Sequence, residues 1–157
     1  MDFARFMGEL PFRDGIAILS PAEALACLGE GAVLVDLREP YETNFRVFDV
    51  AEVIYLPWTA FAAGHAALPR DRALILADAC GIYGREAARI LKAEGYANLA
   101  NLAGGMIDWD GGGLPVRKDS SYELSGQCAC KLKTRAGGNP LKRKGGSPPQ
   151  GDSGETN

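Results

Sequence analysis

Long apolar runs are missing from this 157-residue chain, and histidine is present only once. The apolar stretches fall far short of the roughly 20 residues that span a bilayer, so no membrane partner is expected. The opening Met1-Asp-Phe-Ala-Arg-Phe-Met-Gly-Glu9 lacks the basic-then-apolar order of a secretory leader, which makes the cytoplasm the expected location. His65, the sole histidine, sits in an Ala-rich stretch and not beside any serine. Ser-His-Asp chemistry is therefore not expected, and His65 receives no catalytic task. Cysteine is sparse as well: Cys27, Cys80, Cys128 and Cys130 form no evenly spaced framework, and a chain of this length does not need disulfide staples. Reduced thiols are the expectation, with Cys27 packed in its helix as a small hydrophobe.

What is present reads as one soluble domain with its own core, at 46% hydrophobic and 24% charged residues. The net charge of -3 hides an asymmetry. Residues 1–116 carry 9 basic and 16 acidic side chains, net -7, whereas residues 117–157 carry 8 and 4, net +4. The basic cluster Lys131, Lys133, Arg135, Lys142, Arg143 and Lys144 has no interleaved aromatic residue, which argues for a solvated tail and against nucleic acid.

Ser20-Pro-Ala-Glu23 is a capping box with proline at the first helical position, and it predicts a helix over 21–28 that ends at Gly29-Glu-Gly31. Ala32 to Asp36 is a continuous apolar run, the pattern of a parallel strand covered on both faces. Glu52 to Leu56, stopped by Pro57, and Ala73 to Ala77 predict two more strands, with an Ala-rich helix from Trp58 to Leu68 between them. A helix over Glu86–Lys92, extended back toward Gly84, stops at Gly95. Ala97 to Leu102 reads as a short strand, and Gly104-Gly105 as a tight turn into a short helix carrying Trp109. Alternating strands and helices predict an α/β fold, a single doubly wound sheet with ligands at the carboxyl ends of its strands. The expected division is an arm over 1–17, a domain over 18–117, a Cys-x-Cys extension over 118–135 and a disordered tail over 136–157.

The stretch from Asp78 to Leu91 carries the chemistry. An apolar strand enters a loop of Asp78, Ala79, Cys80, Gly81, Ile82, Tyr83 and Gly84 and then an Ala-rich helix, so unpartnered backbone N–H groups form a cradle for a thiolate, sulfur oxyanion or phosphate. Either Asp78 or Cys80 could occupy its centre, with Arg85 as a nearby cation. Asp78 also reads as a plain helix cap. Tyr83 reads as an aromatic lid on the pocket.

Three stretches resemble the rhodanese homology domain, a family of sulfurtransferases and their non-catalytic relatives. Val33-Leu-Val-Asp36-Leu-Arg38-Glu-Pro-Tyr-Glu42 is similar to its first signature, Asp78 to Leu91 to its active loop and helix, and Leu102-Ala-Gly104-Gly105-Met-Ile-Asp-Trp109 through Gly113-Leu-Pro115-Val116 to its closing signature. Together they cover about residues 18–117. The resemblance implies a five-stranded parallel sheet with helices on both faces. It also implies a loop thiolate that takes a sulfane sulfur as a persulfide and passes it to an acceptor, with no cofactor and no metal.

The family loop usually reads Cys-x-x-Gly-x-Arg-Ser. Laid on this chain without gaps, it puts Asp78 on the Cys, Gly81 on the Gly, Tyr83 on the Arg and Gly84 on the Ser. The rival register starts at Cys80 and ends on Arg85, restoring nucleophile and cation but shortening the helix by two residues, so the Asp78 register is preferred. The family's Gly-His-Ile-x-Gly-Ala stretch is replaced by Arg46-Val-Phe-Asp-Val-Ala51.

Three functions remain open. One is sulfur transfer through a displaced thiol, at Cys80 or the Cys128/Cys130 pair, between a small sulfur donor and a thiol acceptor. Another is a catalytically silent module that binds a protein partner or an anion. The third is a thiol or metal carrier using Cys128 and Cys130, a pair that suits sulfur relay, redox pairing or a soft metal with outside ligands.

Overall fold

The computed structural model describes residues 10–119. The Cys128/Cys130 extension and the tail lie outside the described residues, as does most of the arm.

The elements in chain order are β1 (Phe12–Arg13), β2 (Ile16–Leu19), α1 (Pro21–Gly29), β3 (Val33–Asp36), α2 (Pro40–Thr43), β4 (Arg46–Phe48), β5 (Val53–Tyr55) and α3 (Trp58–Gly64). A 3-10 turn (His65–Ala67), β6 (Leu74–Ala77), α4 (Ile82–Ala93), β7 (Leu99–Leu102), α5 (Gly105–Gly111) and β8 (Val116–Lys118) complete the order. The main sheet runs β1-β2-β7-β6-β3-β5. Five of its strands are parallel, as expected, and the two-residue β1 adds an antiparallel edge. The sheet is thus mixed rather than wholly parallel. It begins inside the stretch assigned to the arm, because Ile16 and Ala17 are buried members of β2. A second, two-stranded sheet pairs β4 with β8, and β4 is built from the stretch that departs from the family pattern.

Strand alternation divides the core into two layers. On β6, Leu74 and Leu76 face Ala87, Ala88 and Leu91 of α4 and Phe61 of α3. Ile75 and Ala77 face the other side, where Ala24, Cys27 and Leu28 of α1 pack with Met106 and Trp109 of α5. Both faces are covered, which is why the strands read as continuous apolar runs. The α1 capping box forms as predicted: Ser20 Oγ accepts from the Glu23 N–H, and the Glu23 carboxylate accepts from the Ser20 N–H. The Ala-rich stretch after Trp58 divides, with the α-helix giving way to a 3-10 turn at His65. His65 Nδ1 bonds the Phe61 carbonyl there.

The first signature is a local electrostatic knot. Arg38 forks onto Asp36, Nε to Oδ1 at 3.0 Å and Nη2 to Oδ2 at 2.7 Å, with both residues buried. The Arg38 guanidinium lies 5.1 Å from the centre of the Phe48 ring. Phe48 in turn meets Trp109 edge-on at 5.2 Å, and Trp109 Nε1 donates to the Pro115 carbonyl at 2.9 Å. The first and closing signatures are therefore joined through one aromatic ring, that of Phe48.

Trp109→Ala should lower the unfolding free energy by about 3–5 kcal/mol, through lost packing and a cavity between α5 and β4. Trp109→Phe keeps most of the ring area and should cost less. Urea unfolding of the two variants beside the parent checks the order, and equal losses would contradict this account.

Candidate active site

The site sits where β6 ends, flanked by the ends of its neighbours β3 and β7. Asp78 follows Ala77 directly, and four residues later α4 begins. Gly81 makes the turn at φ +93°, a left-handed conformation that favours glycine.

The Asp78 carboxylate lies at the focus of the loop. Gly81 N–H donates to Oδ1 at 2.5 Å and Tyr83 N–H to Oδ2 at 2.8 Å. Tyr83 is in the first turn of α4, so the same carboxylate caps the helix and fills the cradle. Capping the helix and occupying the centre of the cradle are one geometry. Burial raises the Asp78 pKa above the usual carboxylate range, while the N–H groups of Tyr83, Gly81 and Gly84 act in the opposite sense.

The loop is held from its other side by α5. Met106 N–H donates to the Asp78 carbonyl at 2.9 Å and Ile107 N–H to the Ala79 carbonyl at 3.1 Å. Such an approach needs Gly105, where a Cβ would collide with the Asp78 carbonyl oxygen and with the Ala79 and Cys80 backbone. The second glycine of the closing signature is thus a contact requirement of the loop itself.

Cys80 is half-buried and sits where two concavities meet. One, of about 290 Å³, lies toward β3 and α2 and is walled by Leu37, Arg38, Glu39, Tyr41 and Glu42. The other, of about 420 Å³, lies toward β7 and the start of α4, beside Arg85, Arg89, Asn101 and Gly104. Cys80, Trp58 and Tyr83 line both. The Tyr83 and Trp58 rings stack at 5.0 Å, and the stack continues to Phe61 at 5.3 Å and His65 at 5.2 Å. Cys27, by contrast, is sealed in the core, and burial pushes its thiol up to about 11. Cys80 is therefore the solvent-accessible thiol among the described residues.

The other predicted residues divide. Gly81, Tyr83 and Gly84 turn their N–H groups toward Asp78. Ala79 is buried and gives its carbonyl to α5. The Ile82 side chain is exposed. Arg85 is exposed and lines the larger concavity. Cys128 and Cys130 lie outside the described residues. Among the described residues no group of three His, Cys, Asp or Glu side chains is placed to hold a metal.

Two participants were not singled out from sequence. Trp58, directly after Pro57, forms the wall shared by both concavities. Asn101 is buried in β7 and its Nδ2 donates to the Gly81 carbonyl at 3.3 Å, bracing the turn from the sheet. A polar residue inside the apolar run Leu99 to Leu102 was the available signal.

Comparison with known proteins agrees with this fold. The family model for the rhodanese-like domain matches residues 20–111. A sulfurtransferase of Allochromatium vinosum is 30% identical over 87 residues, 55% of this chain and 79% of that protein. The probable adenylyltransferase/sulfurtransferase MoeZ of Mycobacterium tuberculosis is 31% identical over 81 residues, 52% of this chain but only 21% of MoeZ. A rhodanese-related protein of Thermoplasma volcanium superposes with a TM-score of 0.58 at 26% identity, covering 64% of this chain and 97% of that one.

Because the Asp78 pKa is raised in the folded state, the folded protein holds this proton more tightly than the unfolded chain. Its contribution is then most favourable at acid pH and is lost as pH rises through the raised value. The stability of the parent relative to Asp78→Asn should accordingly fall as pH rises from the usual carboxylate range toward neutrality. Urea unfolding of both proteins over that range measures it, and a stability of the parent that rises with pH relative to Asp78→Asn would contradict the raised pKa.

Proposed function

The chain belongs to the rhodanese-like domain family, and from that membership we propose that it transfers sulfane sulfur through Cys80 rather than through the position at the cradle's focus. The observation that carries this reading is the exchange of places. A carboxylate, which cannot form a persulfide, takes the N–H bonds of the loop, while the partly exposed Cys80, two residues on, lines both concavities.

The chemistry follows from the thiol. The Cys80 thiolate attacks the outer sulfur of a donor such as thiosulfate, a new S–S bond forms, the donor's S–S bond breaks, and sulfite departs with the bonding pair. A thiolate acceptor then attacks the outer sulfur of the persulfide and regenerates the Cys80 thiolate. Arg85 on the wall of the larger concavity supplies a positive charge for an anionic donor.

A second reading has one specific observation in its favour: Asp78 already fills the cradle with fixed charge, as a silent anion- or protein-binding module would. Incubation with thiosulfate followed by intact mass measurement separates the two. Sulfur transfer predicts a gain of about 32 Da, one sulfur atom, in the parent and none in Cys80→Ser. No gain in the parent, or an undiminished gain in Cys80→Ser, overturns the proposal. Under the silent reading, Asp78→Cys creates the adduct where the parent shows none.

A further inference from the structure

The smaller concavity has more apolar surface at its mouth than a small inorganic donor can use. Tyr41 and Tyr83 are about half exposed at its rim, at 45% and 49%, with Leu37, Trp58 and Ala79 behind them. Three carboxylates, Glu39, Glu42 and Asp78, line the same space against one guanidinium, Arg38, which is itself paired with Asp36. An occupant suited to this mouth carries apolar groups and positive charge.

The chain itself leads to that mouth. Strand β8 runs antiparallel along β4, pairing Val116 with Phe48 and Lys118 with Arg46. The next residue, Asp119, donates its N–H to the Phe45 carbonyl at 2.7 Å, and Phe45 donates to the Glu42 carbonyl at 3.1 Å. The described residues thus end two backbone hydrogen bonds from a wall of the cavity that holds Cys80. The chain beyond Asp119 has the required composition: Tyr122 and Leu124, then Cys128 and Cys130, then Lys131, Lys133 and Arg135. The nine residue-to-residue steps from Asp119 to Cys128 can extend to about 30 Å, well beyond the width of a cavity of about 290 Å³.

We propose that this chain's own segment 120–135 docks over the smaller concavity and that its Cys128/Cys130 pair is the acceptor of the sulfur bound at Cys80, a step that rests on the reading of Cys80 as the working thiol. A thiolate of the pair attacks the outer sulfur of the Cys80 persulfide. The new S–S bond forms on the segment, the old one breaks, and Cys80 leaves with the bonding pair as thiolate. One persulfide replaces another, so no oxidant or reductant is consumed. Tethering makes the encounter intramolecular, with an effective concentration set by the linker and not by the amount of protein. The larger concavity stays open on the other side of Cys80 for the small anionic donor.

The test uses the full chain loaded with thiosulfate, alkylated without reductant and digested with trypsin. Cleavage after Arg72 and Arg85 isolates Cys80 in fragment 73–85, and cleavage after Lys118 and Lys131 isolates the pair in fragment 119–131. The parent should carry the persulfide in 119–131, the Cys128→Ser/Cys130→Ser protein should retain it in 73–85, and Cys80→Ser should carry none. The rate of transfer should not change on tenfold dilution. Sulfur remaining in 73–85 of the parent would overturn the relay and leave Cys80 as the working thiol. Sulfur in 119–131 of Cys80→Ser, or none in 73–85 of the double Ser protein, would overturn both readings. A rate that falls in proportion to dilution would assign the docked segment to a second copy and refute the intramolecular proposal.

Discussion

The N–H groups of the turn after β6 converge on one small volume, and something able to accept their hydrogen bonds has to be there. Gly81 and Tyr83 both point inward at the Asp78 carboxylate, while the outward-facing carbonyls of Asp78 and Ala79 are taken by the first turn of α5. The backbone is therefore pinned from two sides, and neither side works without the other. Burial disfavours the carboxylate and the N–H groups favour it. Its raised pKa shows which effect is larger. An acceptor at this position costs desolvation, but leaving several donors unpaired in the interior would cost more. A thiolate or persulfide could meet the same demand. Here Asp78 meets it.

Much of this arrangement was legible in the residues. Continuous apolar runs marked β3 and β6, the Ser20 capping box marked α1, and Gly104-Gly105 marked the turn into α5, because each depends on local chemistry alone. The gapless register put Asp78 at the centre of the loop from local constraints, helix length and the position of Gly81, and in the structure its carboxylate accepts from the Gly81 and Tyr83 N–H groups. Long-range pairing was not legible. Ile16 to Leu19 is only four residues and contributes a strand by lying beside β7, more than 80 residues away. Likewise Arg46 to Phe48 becomes a strand by meeting Val116 to Lys118. The Asp36–Arg38 fork has a local spacing, but its contact with Phe48, and through that ring with Trp109, exists only after folding.

The same distinction applies to Cys80. Its place near Asp78 was apparent from spacing, whereas the two spaces that Cys80 borders depend on three separate parts of the fold: α2 with the end of β3, α3 with Trp58, and β7 with the Gly104 turn. Sequence order scatters these over more than 60 residues. The parallel sheet collects them at one edge, as the carboxyl ends of its strands dictate.

The stacked rings of Trp58 and Tyr83, together with Cys80, border both concavities. A nucleophile enclosed in a single pocket imposes an order of events: the first visitor must depart before the second can enter, and the enzyme waits in its modified form. Under the proposed role of Cys80, a residue bordered by two spaces imposes no such order. Donor and acceptor would then be present together, and the loaded intermediate would have a waiting partner and a short lifetime in which water or stray oxidants could intercept it.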